Sequence, residues 1–262
     1  MKIVTLFLSL CFVLNINAQA LNDSSIESVK VDTSFISTKH HSIIKPATIG
    51  MAYAGATLFS YRFLDDEVHE IAQRWQNRTV SSISKTYGTL GLGSSNVIIT
   101  AGTGIAAVIT KNKKLEKAAI LLTAGHILNS YAIYQLKVSF QRHRPSTGDA
   151  YNKFDWREGN KSNTSMASAH TANAFATATA FSIVYGDKKW VPVVAYSAAS
   201  LVGISRIYDN AHWLSDVMAG AAVGYLSVKG VNELYKLAGK KFSFMPEVSY
   251  HYYGMGITYA LK

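Results

Sequence analysis

The chain has 262 residues, a length that allows one or two domains. Apolar residues make up 48% and charged residues only 16%, below the roughly 25% of ordinary soluble domains, so the composition excludes a disordered protein. The net charge of +10 favours an anionic ligand or an anionic membrane surface as partner. The one cysteine, Cys11, lies near the N-terminus, which argues against disulfides, thiolate metal sites and cysteine catalysis.

Residues 1–20 have the features of a secretory signal peptide. Lys2 gives a basic start, residues 3–16 are a short apolar run, and residues 18–20 form an A-x-A cleavage site. The run is shorter than the ~20 apolar residues of a membrane span, so an uncleaved anchor is the less favoured alternative. We therefore expect the protein to be exported. The polar residues 21–45 show no periodicity and are predicted to be a flexible lead-in.

The pattern of the remaining chain predicts an all-α fold, an antiparallel helical bundle over residues 46–241. Between residues 61 and 85 the apolar positions have helical spacing, which indicates an amphipathic helix. Residues 242–262 alternate in polarity around a glycine-rich break, which is typical of a short C-terminal β-hairpin-like tail. The apolar segments are residues 47–61, 86–110, 118–136, 170–186, 190–205 and 217–228.

Helix direction predicts which polar residues meet. If short connections make consecutive helices antiparallel, residues 111–117 and 187–189 lie at one end of the bundle. The polar residues at 137–170 and 205–216 then converge on the opposite end, although they are far apart in sequence. We expect this end to carry the chemistry.

Lys137 and Arg144 are seven residues apart, about two helical turns, so on a continuous helix both cations project from one face. Two adjacent fixed positive charges favour a polyanionic ligand, although such a pair alone is more often a solvated surface. Pro145 ends the helix because proline cannot continue the backbone hydrogen bonds. Arg144 is therefore predicted to lie at the end of a helix.

A second group of residues marks the start of the apolar helix after position 168. Ser168 and His170 lie there, and a helix N-terminus binds anions through its unpaired N–H groups and its dipole. Arg206, at the end of the following helix, adds a cation at the same level. Taken singly, a histidine such as His170 is more often a capping or core residue, and Arg206 alone would be interpreted as a surface arginine.

His212 and Asp216 are four residues apart, which places them on one face of a helix. A carboxylate bonded to one imidazole nitrogen fixes the tautomer and leaves the other nitrogen free to act as nucleophile or base. The same spacing occurs in metal sites, but one histidine and one carboxylate without an H-E-x-x-H run argue against zinc. A helix-stabilising pair is the alternative.

Together these residues resemble the signature of the type 2 phosphatidic acid phosphatase (PAP2) family, which belongs to the acid phosphatase/vanadium haloperoxidase superfamily. The family's K-x6-R-P block matches the segment from Lys137 to Pro145. Its S-R-x5-H-x3-D block matches Ser205 to Asp216 at every defined position. Its P-S-G-H block corresponds to residues 167–170, with Ala167 in place of proline and Ala169 in place of glycine.

The resemblance implies a phosphatase that uses neither a metal nor another cofactor and works through a phosphohistidine intermediate. It implies His212 as nucleophile, Asp216 as the group that orients it, and His170 as the acid and base. The phosphate-binding residues that it implies are Lys137, Arg144, Ser168, Ala169 and Arg206. Because Ala adopts positive φ only at a cost, Ala169 places the geometry of the phosphate site in question.

The expected substrate is a phosphate ester or a diphosphate, of a lipid or of a small molecule. The expected partner is a membrane surface and not nucleic acid. The aromatic residues of the segment between the first two blocks are candidates for substrate selection. The lysines at the opposite end predict that end to be cytoplasmic, with the active site outside. A membrane-associated envelope protein is slightly favoured over a soluble periplasmic one. A vanadium-dependent haloperoxidase and a non-catalytic envelope protein that retains a phosphate pocket are the alternative functions.

Overall fold

The computed structural model describes residues 40–157, 163–238, 242–249 and 252–259. The predicted signal peptide and most of the predicted lead-in lie outside the described residues. The described residues form eight α-helices and two β-strands, which are α1 His40–Phe63, α2 Asp65–Arg74, α3 Arg78–Leu90, α4 Gly93–Thr110, α5 Lys113–Phe140, α6 Ala169–Tyr185, α7 Trp190–Tyr208, α8 Leu214–Ala238, β1 Phe242–Ser249 and β2 Tyr252–Tyr259. The predicted all-α fold is confirmed.

Asparagine side chains cap the N-termini of two helices. The side chain of Asn77 accepts a hydrogen bond from the backbone N–H of Val80 at the start of α3, and Asn112 accepts one at the start of α5. The apolar run at residues 86–110 was predicted as one segment, but the chain leaves the helix at Gly91 and resumes at Gly93. This break matters because α3, and not α4, packs beside the end of α7.

Helix α6 is the central helix of the bundle and packs against α5, α7 and α8. Its buried positions are mostly alanine and threonine, which lets the neighbouring helices approach closely. On α8, Gly220 and Gly224 face α6. A β-carbon at position 224 would overlap the carbonyl oxygen of Ala172, and one at position 220 would lie 2.5 Å from that of Ser168. These small residues bring the N-terminal ends of α6 and α8 together.

Helices α4 and α7 are long and apolar enough to cross a membrane, by length and composition. Only 17% of the apolar window of α4 and 28% of that of α7 are buried. Their large side chains instead face outward, as at Ile98, Ile109 and Val193, each at least 66% exposed. These are therefore not buried core helices of a bundle. The strands after α8 pair antiparallel, from Phe242 opposite Tyr259 to Ser249 opposite Tyr252, as the predicted hairpin requires.

Candidate active site

The three sequence blocks meet at one end of the bundle. Lys137 and Arg144 both donate to the carbonyl oxygen of Thr164, and Nη1 of Arg144 donates to the carbonyl oxygen of Ala211 at 3.2 Å. Ala211 directly precedes His212. At the opposite end, Nζ of Lys114 lies 2.9 Å from the carboxylate of Asp187. The predicted convergence of helix ends is thus confirmed.

The route by which Lys137 and Arg144 come together differs from the prediction. Helix α5 ends at Phe140, and Gln141 adopts a left-handed conformation with φ of 43°. Arg144 therefore lies after the end of the helix. Its guanidinium group nevertheless reaches the carbonyl oxygen of Thr164, to which Lys137 also donates. The prediction that one helical face carries both cations is wrong, because the helix stops before Pro145 can end it.

His212 is buried and precedes α8, which begins at Leu214, so the prediction that one helical face carries His212 and Asp216 is also wrong. A turn nevertheless brings Nδ1 of His212 to 3.7 Å from Oδ2 of Asp216. This separation is longer than a hydrogen bond. Asp216 Oδ2 also accepts bonds from the Ser165 hydroxyl at 2.5 Å and from the backbone N–H of Trp213 at 3.0 Å. Nε2 is the His212 nitrogen directed away from the carboxylate.

Burial and nearby cations keep both histidines neutral. Burial lowers the pKa of His212 to about 4, although Asp216 acts in the opposite direction. Burial, followed by repulsion from Arg206, Arg144 and Lys137, lowers the pKa of His170 to about 4. Burial by itself raises the pKa of Asp216, but Arg142 and His212 outweigh it and hold this pKa at about 2. An ionised carboxylate thus lies beside a neutral imidazole.

Arg206 occupies the last turn of α7 and forms an ion pair with Asp209. Asp209 in turn accepts a 2.7 Å hydrogen bond from the hydroxyl of Ser84 on α3. Gly88, one turn further along α3, faces the Arg206 guanidinium group, and Gly91 faces the backbone of His170. Helix α3 therefore supports Arg206, and the residue that follows this helix supports His170; the sequence reasoning missed both contacts.

Ser168 caps α6, and its buried hydroxyl oxygen accepts a 2.9 Å hydrogen bond from the Thr171 hydroxyl. The Ser168 backbone N–H donates to the carbonyl oxygen of Asp216 at 3.0 Å, which joins the second block to the third. Ala169 is the first residue of α6 and is not among the described residues with positive φ. The expected backbone strain at Ala169 is therefore absent, because the position needs only helical geometry.

The segment between the first two blocks is anchored by its own side chains. Phe154 and Trp156 stack with ring centroids 5.2 Å apart, and Tyr151 contacts Tyr61 of α1 edge to face at 5.8 Å. Nδ1 of His143 lies 2.6 Å from Asp149, and its Nε2 lies 3.1 Å from Asp155. These contacts hold the segment beside the site, and most of its aromatic contacts are to the rings of Tyr61, Phe140 and Trp213, which lie outside it.

Sequence reasoning also missed a buried cation. Arg142 is fully buried and lies 2.7 Å from carboxylate oxygens of both Asp216 and Asp65. No short spacing signals this arrangement, because Asp65 lies 77 residues before Arg142. Within the described residues, no group of three or more His, Cys, Asp or Glu is arranged to hold a metal ion.

At one end the helical bundle gathers three cations and two neutral imidazoles, an arrangement that is chemically suited to a tetrahedral oxyanion. Residues 118–239 match the family model described as the PAP2 superfamily. The matched segment contains all three sequence blocks, from Lys137 to Asp216, and is similar to this superfamily.

Two curated relatives are similar in sequence. A lipid A 1-phosphatase of Porphyromonas gingivalis is 47% identical over 117 residues, which are 44% of this chain and 23% of the relative. The chain thus matches about a quarter of that protein's length. Phosphatidylglycerophosphatase B of Bacillus subtilis is 29% identical over 173 residues, which are 63% of this chain and 80% of the relative.

Two solved structures share the fold. LpxE of Aquifex aeolicus superposes with a TM-score of 0.52 at 22% identity, covering 65% of this chain and 95% of the other. The PAP2-type phosphatidylglycerolphosphate phosphatase of Bacillus subtilis gives a TM-score of 0.55 at 18% identity, covering 74% and 96%. At these identities the likeness establishes the helical fold.

Proposed function

We propose that this protein is a membrane-associated lipid phosphatase that needs no metal and acts through a phosphohistidine. One observation carries the proposal: Lys137 and Arg144 both donate to the carbonyl oxygen of Thr164. Arg144 also donates to the carbonyl oxygen of Ala211, the residue directly before His212. With Arg206, these cations surround a place where a phosphoryl group can replace the Thr164 carbonyl as their partner. The Ser168 hydroxyl and the N–H groups at the start of α6, beginning with Ala169, add donors.

The chemistry follows from the orientation of His212. Nδ1 faces the ionised Asp216, so Nε2 attacks phosphorus, and a P–N bond forms as the bond to the leaving oxygen breaks. Asp216 stabilises the positive charge that develops on the ring. His170 gives the leaving oxygen its proton, and then takes a proton from the water that hydrolyses the phosphohistidine. Inorganic phosphate is released and both histidines return to their starting states.

His170 must carry a proton to act as the acid, although its pKa in the structure is about 4. Part of this low value comes from repulsion by Arg206, Arg144 and Lys137. A bound phosphate dianion offsets these charges and raises the pKa of His170, so substrate binding itself prepares the acid. Burial leaves His212 neutral and nucleophilic at neutral pH.

We propose a phosphorylated lipid as substrate, because the two curated relatives are named for lipid phosphates. The outward-facing apolar side chains of α4 and α7 support a membrane location, since contiguous exposed apolar surface is unusual in a soluble monomer. With the lysines at the opposite end in the cytoplasm, the active site opens on the outer side of the membrane. This orientation agrees with export of the chain.

The test is phosphate release from lipid A, phosphatidylglycerophosphate, phosphatidate and an isoprenoid diphosphate, in detergent with a metal chelator present. We expect release by the wild-type protein and a trapped phosphoenzyme in an acid quench with labelled substrate. Replacement His212→Ala should abolish both while the melting temperature is retained. Full activity in this variant, or loss of activity on chelation, would refute the mechanism. Halide oxidation by peroxide after vanadate loading would instead indicate a haloperoxidase.

A further inference from the structure

The guanidinium group of Arg142 has all five of its N–H donors engaged. Nε and one Nη2 proton bond the carbonyl oxygen of Tyr151, and the second Nη2 proton bonds Asp65. The two Nη1 protons bond Asp216 and the Ser215 hydroxyl at 2.7 Å. Three aromatic rings, 5.3 to 5.6 Å from the guanidinium carbon, surround the group, and they belong to Tyr61, Phe154 and Trp213. This side chain has one available orientation.

The two carboxylate oxygens of Asp216 contact different groups. Oδ1 accepts from Arg142, while Oδ2 accepts from Ser165 and Trp213 and faces Nδ1 of His212. Because Arg142 holds Oδ1, the carboxylate cannot rotate about its axis without losing a buried ion pair. The orientation of His212 toward its ligand therefore depends on Arg142, which does not reach the site itself.

Asp65 fixes Arg142 from the other side. Its Oδ2 bonds both Arg142 and the Ser215 hydroxyl, and its Oδ1 accepts the Ser215 backbone N–H at 2.8 Å. Ser215 is the neighbour of Asp216, so two hydrogen bonds tie α2 to the first turn of α8. Asp65 lies on α2, outside the segment that matches the family model.

We propose that Arg142 and Asp65 are positioning residues for the reaction, acting through Asp216 on the nucleophilic imidazole of His212. The proposal rests on the phosphatase function proposed above. It makes α2 part of the catalytic apparatus, although α2 contributes no group that touches phosphate. Loss of either residue should slow the attack on phosphorus and leave anion binding nearly unchanged, since the cations of the pocket are separate side chains.

The variants Asp65→Asn and Arg142→Lys test this. Asparagine keeps the shape of Asp65 but weakens its hold on the guanidinium group, and lysine keeps the charge of Arg142 but cannot bridge both carboxylates. The first-order rate constant of phosphoenzyme formation is measured by rapid quench at saturating substrate. This constant does not depend on the folded fraction of the protein, which the amplitude reports separately. The vanadate inhibition constant reports the anion pocket. Asp66→Asn, an exposed change on the same helix, is the matched control.

We expect the rate constant to fall about tenfold or more in both variants, with the vanadate constant changed less than about threefold and Asp66→Asn like the wild type. Rate constants within about twofold of the wild type would overturn the proposal, as would a vanadate constant that rises in parallel with the loss. If Arg142→Lys does not fold, Asp65→Asn decides by the same criteria. A wild-type protein that forms no phosphoenzyme would instead overturn the proposed function.

Discussion

Gly88 of α3 lies so close to Arg206 that a β-carbon at position 88 would come within 3.0 Å of the guanidinium carbon. The atoms in the way belong to the far end of a flexible side chain. A methyl group there should therefore displace Arg206 without disturbing the backbone.

The substitution Gly88→Ala is expected to weaken phosphate binding. Loss of one charge-assisted contact corresponds to about 1.5–3 kcal/mol, so KM and the vanadate inhibition constant should rise roughly tenfold or more. The measurement is a steady-state titration together with a melting curve. Gly93→Ala is the control, because no atom lies within 4 Å of a β-carbon there. Equal constants in both variants would show that Arg206 does not bind the phosphate.

Lys137 should contribute mainly to anion affinity. Replacement Lys137→Ala removes a buried cation that donates to the Thr164 carbonyl, so we expect the vanadate constant to rise about tenfold to a hundredfold. Inhibition titrations measure this directly. Lys113→Ala removes an exposed lysine at the opposite end and should leave the constant unchanged. An unchanged constant in Lys137→Ala would remove this residue from the pocket.

If Arg206 binds phosphate as proposed, we expect Asp209 to compete with the phosphate for its guanidinium group. In Asp209→Asn the ion pair is lost and a negative charge next to the pocket disappears, so the vanadate constant should fall about threefold to tenfold. The control is Asp187→Asn, which removes an ion pair at the other end of the bundle. Weaker vanadate binding in Asp209→Asn would mean that Asp209 orients Arg206 for binding and does not compete with the phosphate.

The buried histidine makes stability depend on pH. His212 has a pKa of about 4 when folded and about 6.5 when unfolded, so the unfolded chain binds more protons between these values. The free energy of unfolding should therefore fall as the pH is lowered from about 6.5 to about 4. Melting curves across this range should show a smaller fall in His212→Gln than in the wild type. Parallel curves would contradict a buried neutral imidazole.

The sequence could predict the meeting of the three blocks because short connections fix helix direction, and because His212 and Asp216 are near neighbours in the chain. It could not locate the end of α5, which depends on the left-handed conformation of Gln141 and not on Pro145. The ion pairs of Arg142 with Asp65 and Asp216 could not be predicted either. A buried charge is recognised only when its partner is known, and Asp65 approaches from a distant helix.

The contacts of Gly88 in α3 and of Gly91 directly after it could not be predicted, for a related reason. Nothing in the sequence around Gly88 and Gly91 distinguishes a glycine that faces a functional side chain from one that faces solvent, such as Gly93. Packing determines this difference, and packing is set by residues more than 75 positions away along the chain.

The hydrogen bonds that Asp65 accepts from Ser215 and Arg142 also limit how this protein can be recombined with its relatives. A chimera that grafts only residues 118–239 onto a foreign scaffold would carry over every residue of the three sequence blocks but would leave Asp65 behind. Its Arg142 would then be buried with one carboxylate partner in place of two. A working exchange must transplant the upstream helix as well, or supply an acidic residue at the corresponding place in the host.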